Sequence, residues 1–200
     1  MTPEQLQKLK AAKDKSHNKR EGNEKGLYIV HTGMGKGKTS AAMNMVYRHL
    51  AHGRRAAVVQ FVKSTDAFES GDRIMLERLS ELGMPVSIDV LGGGFTWETQ
   101  DPQADRQRAQ EAFARAVELI NDPDVPLVLL DELHIALKHG QLDLAQVVEA
   151  ISNKPAMCHV ITTGRRAPEE LIELADLVTD FTKVKHPISA GIPAQIGIEY

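Results

Sequence analysis

Eight residues, Thr32-Gly33-Met34-Gly35-Lys36-Gly37-Lys38-Thr39, combine three alternating glycines with two lysines and a hydroxyl just after the second lysine. That combination suits a polyphosphate. Glycines reach positive φ and turn successive N–H groups toward one point. Lys38 supplies a mobile cation for phosphate oxygens, and the Thr39 hydroxyl is placed to hold Mg²⁺. The run follows an apolar stretch, Leu27-Tyr28-Ile29-Val30, that reads as a buried strand, and it opens a helical pattern from Lys38 to about Leu50. The helix N-terminus adds its own unpaired N–H groups and its positive dipole end. In the usual phosphate-loop pattern four residues separate an opening glycine from the Gly-Lys pair, and here that opening position is Thr32. A tight glycine turn would account for the glycines, but it has no need of two lysines among them.

A second group of chemistry-bearing residues is Asp131-Glu132, directly after the apolar run Pro126 to Leu130. Acidic residues at the end of a buried strand are the usual companion of a phosphate loop, because a carboxylate there reaches Mg²⁺ or its waters. Taken alone, the pair is also what a polar strand terminus looks like. A third stretch, Gly92-Gly93-Gly94-Phe95-Thr96-Trp97-Glu98-Thr99-Gln100, holds the single tryptophan beside three consecutive glycines. It cannot be regular structure. Phe95 and Trp97 either pack on the core or face a ligand. His134 and His139 lie near the acidic pair and read as solvent-facing or structural, because no tight metal-binding spacing involves them. Arg48 is either a surface charge or a ligand contact. No Ser–His–Asp pattern can be assigned, and nothing reads as a dedicated covalent nucleophile.

The elements that position these residues follow from hydrophobic patterning. A first helix buries Ala42, Met45, Val46 and Leu50 and stops at Gly53. Strands are expected at Ala56 to Val62, Val86 to Leu91, Pro126 to Leu130, Met157 to Thr163 and Leu177 to Phe181. Helices are expected over Arg73 to Leu82, with Ile74, Met75, Leu79 and Leu82 inward, and from an Asp101 cap with Pro102 in the first turn. The latter buries Ala109, Ala112, Phe113, Ala116, Val117 and Ile120. Two more helices are expected at Leu142 to Ile151 and Pro168 to Ala175. Strands alternating with helices predict an α/β fold: three layers, a mostly parallel sheet of about six strands and helices on both faces. Ligands in such folds bind beyond the C-terminal strand ends. The glycine loop, the Phe95–Trp97 loop, Asp131-Glu132 and Gly164-Arg165 all follow strands, so topology gathers them along one edge.

The chain has 200 residues, enough for one domain with a full core. A formal net charge of −3 gives no global attraction to nucleic acid or an anionic membrane. No run is long and apolar enough to cross a bilayer, the N-terminus lacks the apolar core of a signal peptide, and the single cysteine, Cys158, excludes an internal disulfide. The expected location is cytoplasmic. Residues 1–25 are polar and mostly basic and read as a mobile arm that could order over an anionic ligand or a neighbouring subunit. Residues 26–200 form the folded domain.

Together these residues resemble the phosphate-loop type of ATP:corrinoid adenosyltransferase. The likeness runs from about Gly26 to Tyr200 and rests on TGMGKGKT at Thr32 to Thr39, VVQF at Val58 to Phe61, GFTWETQ at Gly94 to Gln100 and LLDE at Leu129 to Glu132. It continues through TGR at Thr163 to Arg165, LAD at Leu174 to Asp176 and the closing stretch Val184 to Tyr200. The resemblance implies a RecA-like P-loop NTPase fold. It also implies transfer of the 5′-deoxyadenosyl group of ATP to Co(I) of a corrinoid (cobalamin, cobinamide or cobyrinic acid a,c-diamide), with release of triphosphate, in adenosylcobalamin biosynthesis or salvage. By the same likeness Gly33, Met34, Gly35, Lys36, Gly37, Lys38, Thr39 and Ser40 bind ATP. Thr39 and Glu132 hold Mg²⁺ with Asp131 in support, Lys38 acts on the leaving group, and Phe95 and Trp97 meet the corrin and displace its lower axial ligand. A homodimer and an electron donor such as a flavoprotein are implied as well. Met34 departs from the family, where many relatives have Asn, and the segment Lys63 to Asp89 is long for it.

Three other functions share parts of this pattern. A RecA-like ATPase would hydrolyse ATP in response to nucleic acid, a kinase would move the γ-phosphate to an acceptor, and a corrinoid carrier would leave ATP intact. Against the first, no dense basic pattern is visible outside the arm.

Overall fold

The computed structural model describes residues 2, 7–8, 24–61, 70–90 and 101–199. Most of the basic arm, residues 62–69 and the segment carrying Phe95 and Trp97 lie outside the described residues. Within them the chain runs β1 (Tyr28–Thr32), α1 (Lys38–Ala51), β2 (Ala56–Gln60), α2 (Gly71–Glu81), β3 (Val86–Val90) and α3 (Pro102–Asn121). It continues with β4 (Leu127–Asp131), α4 (Leu133–Lys138), α5 (Leu144–Ser152), β5 (His159–Thr163), α6 (Glu169–Leu174) and β6 (Leu177–Asp180), then a 3₁₀ turn at Pro187–Ala190.

Six strands form one sheet in the order β3-β2-β4-β5-β1-β6, and every neighbouring pair is parallel. The expected α/β class and six strands are therefore present, and the sheet is wholly parallel. Successive strand residues point to opposite faces, and both faces are covered. Ile29, Val58, Leu129 and Ile161 meet Ala42, Met43, Val46 and Leu50 of α1 and Leu76 of α2. Tyr28, Val30, Val59, Val128, Leu130 and Val160 meet α3, α4, α5 and α6 through Ala112, Ala116, Leu133, Val147 and Leu171. This double covering explains why β1, β2 and β4 read as unbroken apolar runs.

Several element-level expectations shift. Met43 rather than Met45 is the buried methionine of α1, and Met45 only flanks the core. In α2 the buried anchor is Leu76, whereas Met75 and Leu82 are exposed. Leu119 joins the buried stripe of α3, where Val117 is only half-buried. Helix α4 was not anticipated, because six residues are too few to display a helical period. The Asp101 cap behaves as expected, its carboxylate accepting from the N–H groups of Gln103 and Ala104.

The chain reverses direction across the sheet at β1 and β5. After β1 it leaves toward α1 on one face, and after the adjacent β5 it leaves toward α6 on the other. The crevice between those two exits is where ligands bind in open α/β sheets.

A buried polar chain fixes that crevice from below. His134, in α4, is fully buried and therefore not solvent-facing. Its Nδ1–H must donate to the Gly164 carbonyl, 3.1 Å away, because a carbonyl only accepts. Nε2 is then the acceptor for the Thr162 hydroxyl at 2.9 Å, and Thr162 in turn accepts from the Tyr28 hydroxyl at 3.1 Å. Burial raises the Tyr28 phenol pKa and keeps it a donor. The directed chain Tyr28, Thr162, His134, Gly164 ties β1, β5 and α4 to the turn that carries Arg165.

Burial lowers the His134 pKa from 6.5 to about 4. The unfolded chain therefore binds this proton at a higher pH than the folded one. Stability from the neutral imidazole is complete above pH 6.5 and is lost as pH falls from there toward 4, by up to ~3 kcal/mol. Urea titrations of the native chain and His134→Asn between pH 7.5 and 4.5 measure it. The wild type should lose more stability on acidification than the variant. Parallel pH profiles would refute the assignment.

Candidate functional site

The phosphate loop leaves β1 at Thr32. Gly33 has φ +102°, and Gly37, the cap of α1, has φ +109°. The loop is pressed against the segment that follows β6. The Gly35 N–H donates to the Phe181 carbonyl at 2.6 Å, and the Phe181 N–H donates to the Thr32 carbonyl at 2.8 Å. A Cβ on Gly33 would lie 2.1 Å from Asp180 Oδ1, and one on Gly35 would lie 2.6 Å from the Phe181 carbonyl oxygen. No side chain fits at either place. On the helix side, His31 Nδ1–H donates to the Lys38 carbonyl at 3.2 Å, and its ring stacks edge-on against Phe181, anchoring the start of α1. The first-turn N–H groups of α1 have no helical partner and face the cleft.

Thr32 explains its own departure from the usual pattern. As the last residue of β1 it pairs with Asp180 in ordinary strand geometry, so no glycine is required there. Its hydroxyl accepts the Ala167 N–H at 3.0 Å, tying the phosphate loop to the turn after β5.

Lys38 is 6% exposed, and its ammonium donates to the Gly33 and Gly35 carbonyls at 2.9 and 2.5 Å. Burial draws its pKa below the ordinary lysine value. Glu132 and Asp180 oppose that shift, while Arg165 and Lys36 reinforce it. Lys36 is ion-paired with Glu199. Met34 is 46% exposed at the loop tip.

Asp131 is the last residue of β4 and is completely buried. Its Oδ1 accepts from the Thr39 hydroxyl at 2.9 Å and the Thr163 hydroxyl at 2.8 Å, and its Oδ2 accepts from the Gln60 amide at 3.0 Å. Glu132 turns the chain with φ +61°, and its N–H donates to the Thr163 hydroxyl at 2.9 Å. Four segments thus meet at one carboxylate.

A cleft of about 450 Å³ is lined by the phosphate loop and first turn of α1 (Gly35 to Ser40), by Asp72, Glu132 and Arg165, and by Glu199 with its neighbours. The structure therefore brings together Gly35, Lys36, Gly37, Lys38, Thr39, Ser40, Glu132 and the Arg165 that topology placed on the same edge, and it adds Asp72 and Glu199. Gln60, Thr163 and His31 were given no role from sequence, and of the two readings offered for His134 the structural one holds; all four keep the functional groups in place. Their signal is polarity inside apolar strands or beside them, since a buried polar group requires a partner. Phe95 and Trp97 lie outside the described residues. His139 and Arg48 are exposed. No cluster of three or more His, Cys, Asp or Glu with metal-binding geometry occurs among the described residues, and no described helix is long and apolar enough to cross a membrane.

Residues 24–200 match the family described as ATP:corrinoid adenosyltransferase BtuR/CobO/CobP. A corrinoid adenosyltransferase of Pseudomonas aeruginosa is 50% identical over 178 residues, which span 89% of this chain and 85% of that protein. One from a Sinorhizobium species is 47% identical over 196 residues, spanning 98% of this chain and 89% of the relative. The Escherichia coli K12 enzyme of the same name is 40% identical over 178 residues, spanning 89% of this chain and 87% of the relative. With its match to the family nearly end to end, and with a phosphate loop and an acidic strand end facing one cleft, the chain belongs to the ATP:corrinoid adenosyltransferase family.

Proposed function

We propose that the protein binds ATP with its triphosphate in the Gly33–Ser40 cradle and passes the 5′-deoxyadenosyl group to Co(I) of a corrinoid. The cobalt electron pair forms the Co–C5′ bond, the C5′–O bond breaks, triphosphate leaves with that bond's electrons, and cobalt ends as Co(III). The observation that carries this reading is the cleft, which the phosphate loop, Lys36, Lys38 and Arg165 line together with the carboxylates of Asp72, Glu132 and Glu199.

The residue chemistry suits a substrate-borne nucleophile. Cys158 is buried just ahead of β5, at the sheet end opposite the cleft, and burial raises its thiol pKa. What the chain supplies is alignment and charge. Holding two bound reactants in line contributes roughly 7–11 kcal/mol to barrier reduction. The loop N–H groups and Lys38 stabilise the triphosphate as its charge grows. The Thr39 hydroxyl and the Glu132 carboxylate are hard oxygen donors of the kind Mg²⁺ prefers, with Asp131 orienting Thr39 from behind. Thr39 and Glu132 would hold Mg²⁺, which would add to the neutralisation of the triphosphate.

Phe95 and Trp97 are assigned to the corrin face by family resemblance. Displacing the lower axial ligand makes Co(II) easier to reduce, because the ligand no longer raises the orbital that accepts the electron. The basic arm of residues 1–25 is assigned to closure over the corrinoid in a homodimer, and an external donor such as a flavoprotein supplies the electron. Residues 26–200 act as the catalytic domain, in the cytoplasm, within adenosylcobalamin biosynthesis or salvage.

Incubation with ATP and chemically reduced corrinoid should give a light-sensitive alkylcobalt product and one equivalent of triphosphate. Orthophosphate or diphosphate without alkylated cobalt would reject the proposal. Lys38→Ala should lower kcat/KM by ~10²–10³. In the free protein Lys38 gives up its proton at a lower pH than an ordinary lysine, whereas bound phosphate holds the proton. ATP affinity is therefore complete below the free-state pKa and falls as pH rises through it. Calorimetric titration at rising alkaline pH should show this fall in the native protein and not in Lys38→Ala. A pH-independent affinity up to the ordinary lysine range contradicts it. Trp97→Ala should slow the reaction from Co(II) more than from prereduced Co(I), and equal losses in both assays argue against the axial-ligand role.

A further inference from the structure

The ion pair between Lys36 and Glu199 joins the phosphate loop to the last described residue of the chain. Glu199 is only 15% exposed at its side chain, although the segment that carries it is otherwise on the surface. Ile196 and Ile198 are 82% and 81% exposed and bury almost nothing. The backbone hydrogen bonds here are local, from the Ile198 and Glu199 N–H groups to the Gln195 carbonyl. Among the described residues, the one polar tie from residues 193–199 to the rest of the molecule is the carboxylate on Lys36. The segment nevertheless forms a wall of the phosphate cleft through Gly197, Ile198 and Glu199.

We propose that Glu199 is a built-in competitor for the phosphate loop: it occupies Lys36 while the cleft lacks nucleotide and yields it to the triphosphate. The inference rests on the assignment of this cleft to ATP. The two loop lysines are treated differently. Lys38 sits on neutral carbonyls, whereas Lys36 alone is met by a side-chain carboxylate. A triphosphate carries several negative charges against one on Glu199, so it wins Lys36 when it enters. With the Lys36 side of the pair half exposed, solvent screens it and it contributes ~0–1 kcal/mol, so opening it costs little. After transfer the same carboxylate is tethered nearby at high effective concentration. It recaptures Lys36 and hastens departure of the free triphosphate. Glu199 is thus a positioning residue acting through Lys36, and it weakens binding of substrate and product together.

The test measures binding of inorganic tripolyphosphate and of Mg-ATP by calorimetry to four forms of the full chain: native, Glu199→Gln, Lys36→Gln and the double variant. Glu199→Gln should bind tripolyphosphate about 2- to 5-fold more tightly, the range that corresponds to an exposed ion pair. It should also show a lower KM for ATP and stronger inhibition by added tripolyphosphate. In the Lys36→Gln background the same substitution should change nothing. A structural role for Glu199 predicts weaker binding, so the sign separates the two. Unchanged or weaker tripolyphosphate binding in Glu199→Gln, or an equal gain without Lys36, overturns the latch while leaving the ATP assignment intact. A native protein that binds neither ligand overturns both.

Discussion

One buried carboxylate sets the geometry of the whole site. Asp131 lies beneath the cleft with no exposed surface, and three neutral donors from three other elements converge on it. A buried acidic group is tolerated only where hydrogen bonds replace the water it has lost. Gln60 from β2, Thr163 from β5 and Thr39 from α1 supply them. Each contact also fixes something else. Thr163 carries the Glu132 N–H as well, which holds the left-handed turn that aims Glu132 at the cleft. The donors need the carboxylate as much as it needs them, since the buried Gln60 and Thr163 side chains would otherwise be left short. The Thr39 hydroxyl is therefore oriented before any ligand arrives.

The second organising feature is the way the phosphate loop is backed. Its floor is the residue run Asp180 to Thr182, packed so closely that glycine is the only side-chain choice at 33 and 35. Lys38 folds over the loop onto its carbonyls, and burial, Arg165 and Lys36 all push its ammonium toward neutrality. Those are the conditions under which an incoming polyanion gains most. The cation is already positioned, it is partly desolvated, and its like-charged neighbours are relieved by the phosphates. Pre-organisation of this kind places stabilisation in the leaving group rather than in a protein nucleophile.

Sequence revealed the parts of this arrangement that are local and concealed the parts that are not. The glycine loop, the strand before it and the helix after it form one contiguous run, and the three strands with unbroken apolar patterns follow from double burial. Asp131 and Glu132 were legible as a pair, but their different fates were not: one is sealed inside the sheet and the other turns out into the cleft. That division depends on Thr163, thirty-odd positions downstream. Gln60 was visible as a polar residue in the apolar run AAVVQFV, yet its partner is 71 positions away. His134 was ambiguous because helix α4 is too short to announce a buried face. In α2, Leu76 and Met75 are adjacent apolar residues on a half-apolar helix, and only the position of β3 and β2 decides which points inward. Thr32 looked like a defect until Ala167 gave its hydroxyl a function.

The loop's floor belongs to an edge strand, and this couples local stability to binding. All four residues of β6 are exposed, and among the described residues it pairs only with β1. It is held at its start by Asp176, which accepts the Tyr28 N–H and pairs with Lys25. Elements with so little buried apolar surface open at lower free energy than the sheet centre. Phe181, directly after β6, backs both Gly35 and His31, so the support of the phosphate loop rests on how well this strand is held. A ligand that favoured the backed form of the loop would stabilise β6 by mass action although it need not touch that strand. The hydrogen bond from Gly35 to Phe181 carries that coupling, because it joins the glycine loop to the residue directly after the least buried strand. Rigid support from Asp131 on one side of the cleft and conditional support from β6 on the other give a site that is pre-shaped for charge and still able to release a large anion.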